Sequence, residues 1–147
     1  MPYTQIIYHI VFSTKKRERT LKFEGQEELF KYIWGTIKNK KSHLYRINGV
    51  EDHLHILSSL HPTICLSNFI KDIKVSSSIW IKKKNIFPFF ESWQEGYAAF
   101  TCSFKDKENL IKYIISQKEH HRNVSFREEL INLYKEAEIQ YDEKYLF

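Results

Sequence analysis

The chain has 147 residues, 42% of them hydrophobic, a formal net charge of +5 and only two cysteines with no close pair. That length suits a single domain, residues 1–147, with a core of its own, and the cysteine count excludes a disulfide framework or a Cys-rich zinc fold. The opening MPYTQIIYHIVFST has no basic region before its apolar run and no small-residue cleavage site, and the run is too short to cross a bilayer, so a soluble cytoplasmic protein is expected.

Residues 3–14, YTQIIYHIVFST, are rich in β-branched and aromatic side chains and predict a first strand that ends at the basic run Lys15-Lys16-Arg17-Glu18-Arg19. A helix is expected over about 24–40, where Leu29, Ile33, Trp34 and Ile37 form an apolar stripe. HLYRINGV (43–50) and HLHILSSL (53–60) are two short strands joined at Glu51-Asp52, an antiparallel hairpin. Pro62 stops the second of them. A further helix follows over about 64–83, with Leu66, Phe69, Ile70, Ile73, Ser77 and Trp80 at three- and four-residue steps.

The aromatic loop FPFFESWQEG leads into a strand at 97–104, after which Asp106 is placed to cap a helix over 106–121. A last helix is expected over 126–137. The order β-α-β-β-α-β plus C-terminal helices is that of an α/β, RNA-recognition-like (ferredoxin-like) sandwich, with helices largely on one side of an antiparallel sheet and the other face partly available. Cys65 and Cys102 read as small buried side chains, and Trp34 and Trp80 as core.

Charge is unevenly shared. From Phe126 onward six acids face three bases, a net −3, which leaves +8 on residues 1–125. Lys15-Lys16-Arg17-Glu18-Arg19, Lys38/Lys40/Lys41 and Lys82-Lys83-Lys84 are clusters suited to a polyanion if the fold brings them together. Separately, each also fits a solvated surface.

The residues that carry chemistry sit in two segments. In EDHLHIL (51–57), a strand period of two puts His53 and His55 on the same side, opposite the packed set Leu54, Ile56, Ser58 and Leu60. In KYIISQKEHH (112–121), Tyr113 and Gln117 are four apart and share a helix face. With Leu110 at 0° and about 100° per residue, Ile114, Ile111 and Ile115 fall at about 40°, 100° and 140°, whereas Tyr113, Gln117 and His120 fall at about 300°, 340° and 280°. Alone, the His-x-His pair fits satisfied core imidazoles as well, and Tyr113 alone fits a stripe edge. Together they offer two imidazoles and an amide oxygen for Mg²⁺ or Mn²⁺, beside a phenol able to attack a phosphodiester. No residue stands out as the base that would take the phenol's proton.

YHIVFSTKKR (8–17), GVEDHLHIL (49–57), ESWQEGYAAFTCS (91–103) and YIISQKEHH (113–121) resemble, in order and spacing, the IS200/IS605-family (Y1) transposases of the HUH single-stranded DNA nuclease superfamily. The resemblance covers roughly residues 3–125. It implies Tyr113 as nucleophile, His53, His55 and Gln117 as ligands of Mg²⁺ or Mn²⁺, and cleavage and rejoining of single-stranded DNA at insertion-sequence ends through a 5′-phosphotyrosine, with hairpin recognition. It also implies a homodimer in which the tyrosine helix can complete the partner's site. Glu119 and His120 match the motif and are candidates for site support, His120 by orienting Gln117 or touching phosphate, while His121 is open to a packing role. His9 reads as structural or a site neighbour. Lys15, Lys16, Arg17 and Arg19 are candidate hairpin-backbone contacts, and Trp93 is a candidate for stacking on a base or for pinning its loop. Two other readings share these residues: a domesticated palindrome-processing nuclease of the same chemistry, and a noncatalytic RNA- or DNA-binding domain.

Overall fold

The structure is a computed structural model that describes residues 3–146. Strand β1 (Ile7–Ser13), helix α1 (Phe23–Asn39), strands β2 (His43–Gly49) and β3 (His53–Ser59), helix α2 (Leu66–Lys84) and strand β4 (Ala98–Cys102) follow the expected order. They form one four-stranded antiparallel sheet in the order β2-β3-β1-β4. The β2–β3 hairpin closes tightly: a side chain at Gly49 would place its Cβ 2.4 Å from the carbonyl oxygen of His53, so only glycine allows the two strands to meet there.

Alternation in β1 and β3 separates two faces. Ile10 and Phe12 from β1 and Leu54 and Ile56 from β3 pack against Leu29, Ile33 and Ile37 of α1 and Phe69, Ile70 and Ile73 of α2. Each such fully buried side chain contributes about 1.5–3 kcal/mol relative to exposure. Trp80 packs at the edge of this core and stacks on Tyr32, with ring centroids 4.8 Å apart. Trp34 does not join it: the ring is half exposed, with Lys38 Nζ 5.4 Å above it, because residue 34 lies one step off the stripe of Leu29, Ile33 and Ile37. Cys65 is exposed and Cys102 half-buried, contrary to the expectation of two buried thiols, since Cys65 precedes α2 on the surface and Cys102 ends an edge strand.

The other face is not left open. Three C-terminal helices cover it: α3 (Lys107–Ile115), α4 (Gln117–His120) and α5 (Phe126–Glu136). The expected single helix over 106–121 is interrupted at Ser116, where Asn48 of β2 donates its side-chain amide to the carbonyls of Ile114 (2.9 Å) and Ile115 (3.2 Å). A foreign donor thus satisfies carbonyls at the end of α3 and ties the break to the sheet. Nor does Asp106 cap α3 with its side chain. Ser103 caps the preceding 3-10 turn (Phe104–Asp106), its Oγ accepting from the Asp106 backbone N–H at 3.1 Å. Ser125 caps α5 in the same way, accepting from the Glu128 N–H at 3.1 Å. α5 is fastened to the sheet by a small cluster in which Phe126 and Leu130 meet Val11 and Ala98.

Candidate functional site

His53 and His55 stand on the face covered by α3–α5 and are fully buried, not on an open side of the sheet. Each is oriented by a neighbour. His53 Nδ1 lies 2.7 Å from Asp52 Oδ1, and His55 Nδ1 lies 2.8 Å from Nε2 of His9 on β1. His9 is therefore a neighbour of the site, and burial beside His55 pushes its pKa down to about 3, so the ring is neutral. Burial also lowers His55, whereas His53 ends above the ordinary imidazole range: burial works against its charge, but the carboxylates of Asp52 and Glu129 override it. Asp52 is itself held low, because the His53 hydrogen bond outweighs the effect of burial.

The Nε2 atoms of both rings point at one oxygen, Oε1 of Glu129 on α5, at 3.1 Å each. His121 reaches the same oxygen at 2.9 Å, while its Nδ1 lies 2.6 Å from the carbonyl oxygen of Val124. The second carboxylate oxygen, Oε2, accepts from the hydroxyl of Tyr113 and, at 2.9 Å, from the side-chain amide of Gln117. Tyr113 and Gln117 thus keep a common direction across the break at Ser116. Facing a carboxylate with its NH₂ leaves Gln117 Oε1 buried and without a hydrogen-bond partner.

The chain therefore brings Tyr113, Gln117, His53 and His55 together around a residue that periodicity had not singled out. Glu129 has a readable signal in retrospect: at about 100° per residue it lies about 40° from Leu133 and 60° from Phe126, so a carboxylate interrupts the apolar stripe of α5. His121 is the second addition. Its place depends on the turn from α4 into α5, and its identity as the second of two histidines carries no such signal. Burial alone would raise Glu129, but hydrogen bonds to His121, His53 and His55 hold it far below the usual carboxylate range. Burial and the adjacent Glu129 charge raise the Tyr113 phenol well above its ordinary value, so the hydroxyl is protonated.

His53, His55, His121 and Glu129 offer ligand atoms within 4.8 Å of one another, a group able to hold a metal ion. The donor set fits a divalent cation: imidazole nitrogens, a carboxylate and the unpartnered amide oxygen of Gln117. His120 stands at the rim, its Nε2 3.6 Å from Glu129 Oε2. Glu119 points away, exposed and paired with Arg122 at 3.3 Å.

Two cavities flank the cluster. One, about 400 Å³, is lined by Arg17, Arg19, Lys118, Arg122 and Arg127 together with His121. The other, about 720 Å³, opens beside Tyr113, His120 and Glu129. Of the basic run after β1, Arg17 and Arg19 face the first cavity, while Lys15 pairs with Glu91 at 3.0 Å and Lys16 is exposed. Trp93 is not available for a base. Its ring lies in the core edge-on to Phe12, and its indole N–H donates to Ser77 Oγ at 2.9 Å, so it pins the loop before β4. Among the described residues no helix is long and apolar enough to cross a membrane.

The sequence pattern of the family described as "Transposase IS200 like" matches residues 2–117. No curated protein matches the chain in sequence. Among solved structures, a protein from Deinococcus radiodurans R1 described as a candidate transposase is similar with a TM-score of 0.63 at 21% identity, covering 80% of this chain and 95% of that one. A REP-associated tyrosine transposase bound to a REP hairpin is similar with a TM-score of 0.63 at 16% identity, covering 84% of this chain and 76% of that one. At these identities the two structures establish the shared fold.

Proposed function

We propose, for a chain that belongs to the IS200-like transposase family, that it cleaves and rejoins single-stranded DNA at insertion-sequence ends through a 5′-phosphotyrosine on Tyr113. The observation that carries this reading is the convergence of the Tyr113 hydroxyl, His53 and His55 on one carboxylate within a single chain. A tyrosine used only for packing has no need of a buried charged partner shared with two imidazoles.

In the reaction proposed, the Tyr113 oxygen forms a bond to the scissile phosphorus as the bond from phosphorus to the 3′ oxygen breaks, leaving a free 3′-OH and a DNA 5′ end joined to the enzyme. Rejoining reverses these bonds with another 3′-OH, so the phosphodiester energy is kept. Tyr113 is half-buried and borders the larger cavity, which gives DNA a route to its hydroxyl. Arg17, Arg19, Lys118, Arg122 and Arg127 supply a positive wall for the backbone on the other side of the cluster. His53, His55 and Gln117 would hold Mg²⁺ or Mn²⁺. Such an ion, when bound, polarises the phosphate and offsets the negative charge that now disfavours the phenolate. Asp52 and His9 orient the two imidazoles through their second nitrogens.

A DNA hairpin is the proposed partner, supported by the hairpin bound to the structurally similar REP-associated enzyme. A homodimer is proposed as the working assembly, and the proximity of Tyr113 to histidines of its own chain supports a site built in cis. Incubation with hairpin-bearing single-stranded DNA and Mg²⁺ or Mn²⁺ should give a covalent protein–DNA adduct, resolved on a denaturing gel. Tyr113→Phe should lose the adduct and keep the hairpin mobility shift. Full adduct yield in that variant would remove Tyr113 as nucleophile, and a mobility shift without cutting by the natural chain under either metal would make it a binding module.

A further inference from the structure

Three imidazoles, an amide and a phenol converge on the carboxylate of Glu129. His121 Nδ1 faces a backbone carbonyl, which only accepts, so Nδ1 carries a hydrogen and Nε2 is the nitrogen turned to Glu129. His53 Nδ1 faces the carboxylate of Asp52 with the same consequence. Both Nε2 atoms meet Glu129 Oε1, at 2.9 and 3.1 Å, and His55 Nε2 reaches the same oxygen at 3.1 Å. Three imidazole nitrogens and a carboxylate oxygen within 4.8 Å of one another, together with the buried, unpartnered Oε1 of Gln117, make a donor set suited to a cation.

We propose that His121 and Glu129 are metal ligands alongside His53, His55 and Gln117, with Oε1 of Glu129 on the ion and Oε2 on the Tyr113 hydroxyl. This rests on the metal-dependent reading above and extends it, since it makes α5 part of the metal centre. Glu129 then joins cation and nucleophile through a single side chain. The second nitrogens of His53, His55 and His121 already have partners in Asp52, His9 and the Val124 carbonyl, the support that ligating imidazoles require.

The test is binding of Mn²⁺ to the DNA-free protein, followed by the loss of the free-ion electron paramagnetic resonance signal. His121→Asn and the isosteric Glu129→Gln should each weaken binding at least about tenfold, the lower end of what removing even an outer partner of a ligand costs. Their circular dichroism without metal should match that of the natural chain. If His53→Ala weakens binding while both variants bind as the natural chain does, the assignment of His121 and Glu129 is wrong and the metal-dependent reading stands. If His53→Ala also binds normally, that reading falls as well. Should a variant not fold, the natural chain loaded with Co²⁺ answers the question. Its proton spectrum should show strongly shifted ring N–H signals from three histidines, and signals from two only would overturn the assignment of His121.

Discussion

The two faces of the sheet are made by the same strands and stabilised by different mixtures of apolar and polar contacts. On one face, Ile10, Phe12, Leu54 and Ile56 meet α1 and α2 in an apolar cluster of fifteen buried residues. On the other, alternate residues of β1 and β3 present His9, His53 and His55 to α3–α5, and two smaller buried apolar clusters, of four and three residues, fasten α5 and α3. Nondirectional burial holds the first face, so its stability is spread over many contacts. The second combines smaller apolar contacts with a few directed groups around one carboxylate, whose geometry must be accurate but whose own contribution to stability is small. The layer of α3–α5 is therefore held by fewer apolar contacts than the layer of α1 and α2.

Phe69→Ala should have the largest effect, a loss of about 3–5 kcal/mol in denaturant unfolding, because a fully buried ring leaves a cavity between α2 and the sheet. Leu130→Ala should cost less, about 2 kcal/mol at the low end for a buried leucine, and mostly as local opening. Hydrogen exchange would show amides of α5 losing protection while those of β3 keep it. Equal loss of protection in both elements would show that the two layers unfold as one. Ser125→Ala removes the cap of α5 and should cost about 1 kcal/mol, with the same local exchange pattern.

The smallest effect is a pH dependence on the apolar side. Lys74 Nζ donates to the carbonyls of Gln94 (2.8 Å) and Gly96 (2.6 Å) and lies 5.4 Å over the Phe12 ring, and burial pushes its pKa down from 10.5 to about 8. With the folded value below the unfolded one, the unfolded chain binds more protons between these two pH values, so this group makes stability rise with pH across that window. Comparing unfolding of Lys74→Met with the natural chain from pH 7 to 11 should show that rise reduced. An unchanged slope would mean that the lysine is solvated in the fold.

Much of this was legible in the chain itself. Period two in β3 placed His53 and His55 together, a property of strand geometry that holds wherever the element packs, and a four-residue step placed Tyr113 with Gln117 although the helix breaks between them at Ser116. The strand and helix order followed from apolar periodicity for the same reason. Trp34 was misplaced because one helical step decides whether a large ring meets the sheet or water, and stripe edges do not reveal which.

Local periodicity determined which side chains share a face. Only the tertiary structure decided what each face meets. The turn through Val124 and Ser125 sends α5 back across the histidines and delivers Glu129 from an acidic segment that composition had set apart from the basic body. The physical reason is that burying a carboxylate requires partners to offset its desolvation, and those partners come from β3, α3 and α4, separated from it by up to 76 positions in sequence.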